Sequence, residues 1–268
     1  KEMAEDRARG GVIHPVIEPV RLRGDALGRC LDALGENSVP ATVVLNPPVG
    51  ELAQSNNAPG SVLAILDECT AREHLRLGVW VDASTDVSQI ATAIAGSKLS
   101  SLPVDFLHAE FAGPRGLNAL ATDASCQLLE AKEQLRRYRP ALAGSLVKWT
   151  DPFPRRRTNL EYVGAEPSLF TDDNVYFRDD GYEGFSDYAT IGRDFSEGGS
   201  SPRAVVIHLT YDEPADGGSI WVRHFCSTSN EDTADTAGKF GEALAELVDF
   251  LDERDITNPA AEAFRHYG

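Results

Sequence analysis

The chain has 268 residues, 42% hydrophobic and 25% charged, with a formal net charge of −17, the balance of a globular protein that is strongly acidic. That acidity argues against a surface that coats nucleic acid through clustered Lys and Arg, and no apolar run approaches the ~20 residues of a membrane span. The length is near the roughly 250 residues of one α/β barrel and predicts a single domain over 1–268; with no secretory leader in view, the expected compartment is cytoplasmic.

Lys1 to Arg9 reads as a charged helix that stops at Gly10-Gly11. Val12 to Val20 reads as a buried strand. Every later helix follows a strand, so a chain that opens on a helix implies one further strand before Lys1. Asp25 to Leu34 sets Leu27, Cys30, Leu31 and Leu34 on one face at helical spacing. Ala41 to Asn46 is the next strand, and it is stopped by Pro47-Pro48, which remove donors and fix φ. The alternation continues with helix Ser61 to Leu75, strand Leu77 to Asp82, helix Asp86 to Ala95, and strand Pro103 to Glu110. Helix Gly116 to Thr122, strand Cys126 to Glu130, helix Ala131 to Leu142 and strand Ser145 to Thr150 follow. Unbroken apolar strands separated by amphipathic helices predict a parallel sheet covered by helices. So many units, without a Gly-rich turn after the first strand, favour a TIM-like (β/α) barrel over a doubly wound sheet.

After Thr150 the rhythm breaks. Asp151 to Tyr182 is a long segment in which only Asn174 to Arg178 looks ordered, and long loops in compact domains are often functional. Strands are expected at Glu183 to Ile191, Ala204 to Thr210 and Ser219 to Phe225. The last two form a hairpin through Glu213 to Gly218, so the C-terminal half is irregular. Asp235 to Asp252 is an amphipathic helix with Phe240, Leu244, Leu247 and Leu251 on one face, and Ala260 to His266 is a terminal helix.

Parallel strands bring their C-terminal ends to one rim, where barrels carry binding and catalytic groups. The residues at those ends are Glu18, Asn46, Asp82, Glu110, Glu130 and Asp151, joined by Asp187 and His208 from the later strands. Asp82 and Glu130 read as caps of the following helices. Glu18 and Asn46 each precede proline and fit capping less well, so they remain rim candidates. Oxygen ligands of this kind would suit magnesium or manganese, though no metal motif of fixed spacing is present. Glu18, Asp187 and His208 are the candidates for acid and base work.

Arg155, Arg156 and Arg157 lie in the segment after Thr150 and have the forked donors that match phosphate or carboxylate. The cluster Arg136 to Arg139 reads instead as internal neutralisation. His208 and His224 sit on adjacent strands and would face one another across the hairpin. Tyr188, Tyr211 and Arg223 complete the candidate ligand-binding set with Asn46, Glu110 and Asp151, while Phe153, Phe185 and Tyr188 could line an aromatic rim. Four cysteines without Cys-x-x-Cys spacing read as buried reduced thiols, and Ser186 is not in a nucleophile elbow.

Ile17-Glu-Pro, Asn46 to Gly50, Trp149 to Phe153, Gly184 to Gly192, Ala204 to Tyr211 and Arg223 to Phe225 carry a family resemblance. So do Ser229 to Asp232 and Ala237 to Phe240. In these residues the chain resembles a bacterial family known by a genome locus tag and related to the Beta-protein family of phages and bacteria. The resemblance implies a role in antiviral defence or beside mobile elements, with a nuclease-like protein as partner; it supplies no catalytic residues. It also implies a preceding strand with a Tyr-x-Pro element. Joined to the residue reading, it gives a protein that binds a phosphate-bearing or other anionic ligand, a small molecule or a nucleic-acid end, at the strand-end rim, and that could act as a hydrolase. The alternative is a non-catalytic partner of a nuclease-like effector, with no membrane role in either case.

Overall fold

The computed structural model describes residues 13–110, 121, 125–130, 139–198, 201–256 and 259–267. The opening helix, the short helix from Gly116 and most of the helix from Ala131, with Arg136 and Arg137, lie outside the described residues. The chain divides into two compact units. The first is Lys1–Thr150 with Gly181–Ser186, and the second is Asp151–Asp180 with Asp187–Gly268.

The first unit is a helix-covered sheet. Its strands are β1 (Val16–Ile17), β2 (Ala41–Val44), β3 (Leu75–Val81), β4 (Val104–His108), β5 (Cys126–Glu130), β6 (Ser145–Thr150) and, after β7 (Ser168–Thr171) of the second unit, β8 (Gly184–Asp187), whose last residue, Asp187, is counted with the second unit. They lie side by side in the order β1-β2-β3-β4-β5-β6-β8, and the five pairings from β1 to β6 are parallel. Helices α1 (Asp25–Glu36), α2 (Gly50–Ala53), α3 (Ala58–Glu68) and α4 (Val87–Ala95) fall in the crossovers. Alternation sorts the strand residues by face. Val43, Leu77, Val79, Phe106 and Leu129 join Leu31, Val62, Leu66 and Ile90 of the helices in one core, each burial contributing about 1.5–3 kcal/mol. The other face carries Thr42, Arg76, Trp80, Asp105, Leu128 and Trp149, with the two indoles edge to face at 5.4 Å. Gly78 has no side chain on that face because a Cβ there would lie 3.0–3.2 Å from Thr42, Val44 and the Val43 carbonyl. Residues of β1 and of β8, the two ends of the strand order, line one cavity, so the sheet is curled.

Several expectations are corrected in detail. The strand expected over Val12 to Val20 pairs only at Val16–Ile17. Pro15 and Pro19 bracket it and cannot donate to a ladder; the Pro15 carbonyl instead accepts from Thr42 N–H at 2.9 Å. Helix α3 starts earlier than Ser61, with Pro59 in its first turn, and ends at Glu68. All four cysteines are free, but Cys30 is exposed rather than buried.

The second unit is a three-stranded antiparallel sheet, order β7-β10-β9, from β7 (Ser168–Thr171), β9 (Val206–Glu213) and β10 (Ser219–Cys226). Helix α5 (Asp173–Tyr176) follows β7; α6 (Thr236–Glu253) and α7 (Pro259–Tyr267) end the chain. Strand β7 falls in the segment read as irregular. On one sheet face Tyr211 and Phe225 pack with Leu247, Phe250 and Leu251 of α6. The buried stripe of α6 runs through Ala243, Leu244, Leu247, Phe250 and Leu251, with Lys239 at its start. Phe240, expected on that face, is 46% exposed, while the Lys239 ammonium is buried and donates to the Asp232 carbonyl at 2.6 Å.

Candidate functional site

In the first unit, parallel pairing does set the predicted rim residues at the C-terminal ends of successive strands, but their polar atoms are largely occupied. Asn46 continues the β2–β3 ladder: its Nδ2 donates to the Trp80 carbonyl and its Oδ1 accepts from the Trp80 N–H, both at 2.9 Å. Asp82 accepts from the Ser84 N–H and hydroxyl, the Thr85 hydroxyl and the Trp80 indole. Burial alone would raise its carboxyl; these four donors outweigh it and hold the group below the ordinary range. Asp86 caps α4 through the N–H groups of Ser88 and Gln89. Asn46, Asp82 and Asp86 line a crevice of 330 Å³, which Glu18, Glu110 and Glu130 do not enter. Glu18 is half-buried after β1, and Glu110 is exposed. Among the described residues no three His, Cys, Asp or Glu side chains are grouped to hold a metal ion, so the magnesium or manganese expectation finds no ligand set there.

In the second unit the arginines divide. The Arg155 guanidinium donates to the Ile191 carbonyl at 2.7 Å and the Asp194 carbonyl at 3.1 Å, and lies 3.3 Å from the Asp194 carboxylate, so it pins the 191–194 loop. Arg156 donates to the Glu161 carbonyl and lies over the Tyr162 ring at 5.1 Å. Arg157 is exposed. Asp187 ends β8 and accepts from the Ala189 N–H at 2.6 Å. Its carboxyl is raised by burial, partly relieved by that bond, and raised further by the charges of Asp173 and Asp151. Asp151 accepts from the Arg193 N–H at 3.1 Å. Tyr188 is half-buried, and its carbonyl closes the turn to Ile191.

Tyr211 and Arg223 belong to the α6 side of the sheet. Tyr211 is buried edge-on to Phe250, and Arg223 reaches Glu246 at 3.5 Å and lies over Phe250. They are therefore not brought together with His208 and His224, which the two-residue period of β9 and β10 turns to the opposite face.

That opposite face brings several candidates together. His208 and His224 are directly opposed in register, and their Nδ1 atoms lie 2.7 Å apart. Above them sit Tyr162, whose ring is 4.8 Å from His208 and 4.6 Å from His224, and Phe153, 4.9 Å from His208. Tyr162 is itself locked: its hydroxyl accepts from the Arg156 N–H at 2.7 Å and donates to the Pro154 carbonyl at 3.2 Å. One imidazole must donate Nδ1–H to the other, so the two rings hold opposite tautomers. The donor ring keeps a bare Nε2 that can take a proton while the shared bond survives. Burial and then the neighbouring ring push His208 down to about 4; burial and the Arg156 charge push His224 down. The pair is thus neutral at pH 7. Asp187 is not among the charges acting on either ring, so the predicted acid–base set is not one constellation. Tyr162 was missed because nothing in its local sequence separates it from a loop tyrosine.

No family model, no curated protein and no solved structure matches the chain.

Proposed function

We propose that the second unit binds a phosphate-bearing or other anionic ligand against the His208–His224 pair. Arg156 supplies the fixed positive charge and the adjacent Arg157 an exposed second one. The observation that supports this reading is the 2.7 Å imidazole pair under Tyr162 and Phe153 with a guanidinium beside it. A dianion near the pair favours its protonated form, so binding takes up a proton at the bare Nε2. The resulting imidazolium is the kind of donor that hydrolysis of a phosphate ester uses. On this reading the curled sheet of the first unit is an irregular TIM-like barrel, since its strands run in chain order without the reversal of a doubly wound sheet. The setting proposed is bacterial antiviral defence or a mobile element, with a nuclease-like partner.

Titration calorimetry with pyrophosphate at pH 5.5 and 7.5 tests the binding. Affinity about tenfold higher at pH 5.5, with net proton uptake at pH 7.5 and loss of most affinity in Arg156→Gln, is the expected result. Binding that ignores both pH and Arg156 would end the proposal. One observation favours a second reading, the non-catalytic partner: β7 and α5 expose Leu169, Val175 and Tyr176, apolar surface of the kind another protein covers. Absence of pyrophosphate binding, with co-purification of a partner lost in Leu169→Asp, would select it.

A further inference from the structure

The concave side of the first unit's sheet holds a cavity of 390 Å³ at the N-terminal ends of the strands, away from the strand-end crevice. Its wall is built on a buried hydrogen-bond chain. Arg76 grips Asp105 through Nε at 2.7 Å and Nη2 at 2.5 Å. Asp105, 1% exposed, also accepts from the Cys126 N–H at 2.8 Å and from the Thr42 hydroxyl at 2.6 Å. Both of its oxygens are therefore filled. The Thr42 hydroxyl has spent its only hydrogen on Asp105, so at 2.7 Å from His14 Nε2 it can only accept. This fixes the His14 tautomer as Nε2–H and leaves Nδ1 with a lone pair.

We propose that this cavity is a binding site for a small primary amine with an apolar body, held as its ammonium between the Glu183 carboxylate and His14 Nδ1. The charge balance of the wall selects the class. Among the described residues Arg76 is the lining's cationic neighbour, and the donors that reach Asp105 are committed there, so an anion would meet Glu183 and Asp105 with no uncommitted cation among those residues. Glu183 lines the cavity, and its charge adds, after burial and Asp105, to what raises the Cys126 thiol. Val16, Leu128, Val147 and Phe185 give the apolar side of the same space, whose size is that of a small-molecule pocket. Burial, partly opposed by the charge of Asp105 and reinforced by Arg76, holds His14 below its ordinary range, so at pH 7 the ring is neutral: Nε2–H donates to Thr42 and Nδ1 accepts.

The site lies in the first unit and takes the charge opposite to that proposed for the second, so the two fail independently. Benzylamine, benzyl alcohol and benzoate are titrated into the full chain at pH 7.5 and followed by calorimetry. Benzylamine should bind at least tenfold tighter than either of the others. Glu183→Gln, a change at an exposed side chain, should cost about tenfold, and His14→Gln a further loss with weaker pH dependence. In the unaltered protein benzylamine affinity should fall as pH drops and His14 charges. Equal binding of benzoate, no binding of benzylamine at millimolar concentration, or indifference to both substitutions would overturn the assignment.

Discussion

Each unit holds an imidazole whose pKa is pushed down to about 4, yet the two are built for different ends. His108 in β4 is completely buried, and its Nε2 lies 2.8 Å from the Gln127 side-chain oxygen. Gln127 is oriented by donating its amide to the Ala143 carbonyl at 2.8 Å, so its oxygen is the acceptor and His108 the donor. The partner of His108 cannot titrate. His208 is half-buried and pairs with a second imidazole, which leaves a proton-accepting nitrogen and a cationic neighbour in Arg156. A low pKa by itself therefore says little about function. What separates the two is whether the partner can change its own protonation and whether solvent reaches the pair.

The same contrast holds for buried carboxylates and gives the largest expected effect. Asp105 satisfies Arg76, Thr42 and a backbone N–H at once. Asp105→Ala strands a largely buried guanidinium, and removal of one partner of such a pair costs roughly 3–5 kcal/mol. Urea unfolding followed through Trp80 and Trp149, with Trp221→Phe to silence the second unit, should show the loss. A change below about 1 kcal/mol would mean that water replaces the carboxylate and that the chain to His14 is not rigid.

Next in size is the acid response of the first unit. The His108 pKa is lowered from 6.5 to about 4 by burial, slightly opposed by the bond to Gln127. A group depressed in the folded state contributes its full stability above pH 6.5 and loses it as pH falls toward 4, because the unfolded chain takes up the proton first. At about 1.4 kcal/mol per pKa unit the contribution is at most roughly 3 kcal/mol. His108→Gln should flatten this part of the pH profile. His208 falls in the same pH window, but solvent screens it, so its share is smaller, and added pyrophosphate should raise the pair's pKa while leaving that of His108 unmoved in histidine NMR spectra. A His108 that titrates near 6.5 would remove the contrast.

The sequence made much of the first unit legible and less of the second. Strands β5 and β6 match their expected limits at Cys126–Glu130 and Ser145–Thr150, because a short apolar run bounded by turn residues has few alternatives. Strand β7 was not legible, since Ser168–Thr171 becomes a strand only by pairing with β10, about fifty residues later. The His208–His224 pairing followed from hairpin register alone. By contrast, the arginines of the 155–157 cluster looked equally available, and the carbonyls that occupy Arg155 belong to a loop whose path no local pattern encodes. The polar chain in the first unit did leave a trace. Thr42, Arg76 and Asp105 interrupt apolar strands at positions that parallel register turns to one face.

Asp187 should give the smallest effect, and its sign is informative. Where Asp105 is surrounded by donors, Asp187 has one backbone donor and the charges of Asp173 and Asp151 nearby, and its pKa is raised by burial. A carboxyl with a raised folded pKa takes up its proton more readily when folded, so its contribution declines as pH rises through 3.8 and above. Asp187→Asn removes the charge and keeps an oxygen that can accept from the Ala189 N–H. The variant should therefore match or slightly exceed the parent at pH 7, by less than about 1 kcal/mol, with the difference vanishing below pH 4. Destabilisation at pH 7 comparable to that of Asp105→Ala would show that Asp187 has a cationic partner and belongs with the donor-filled carboxylates of the first unit.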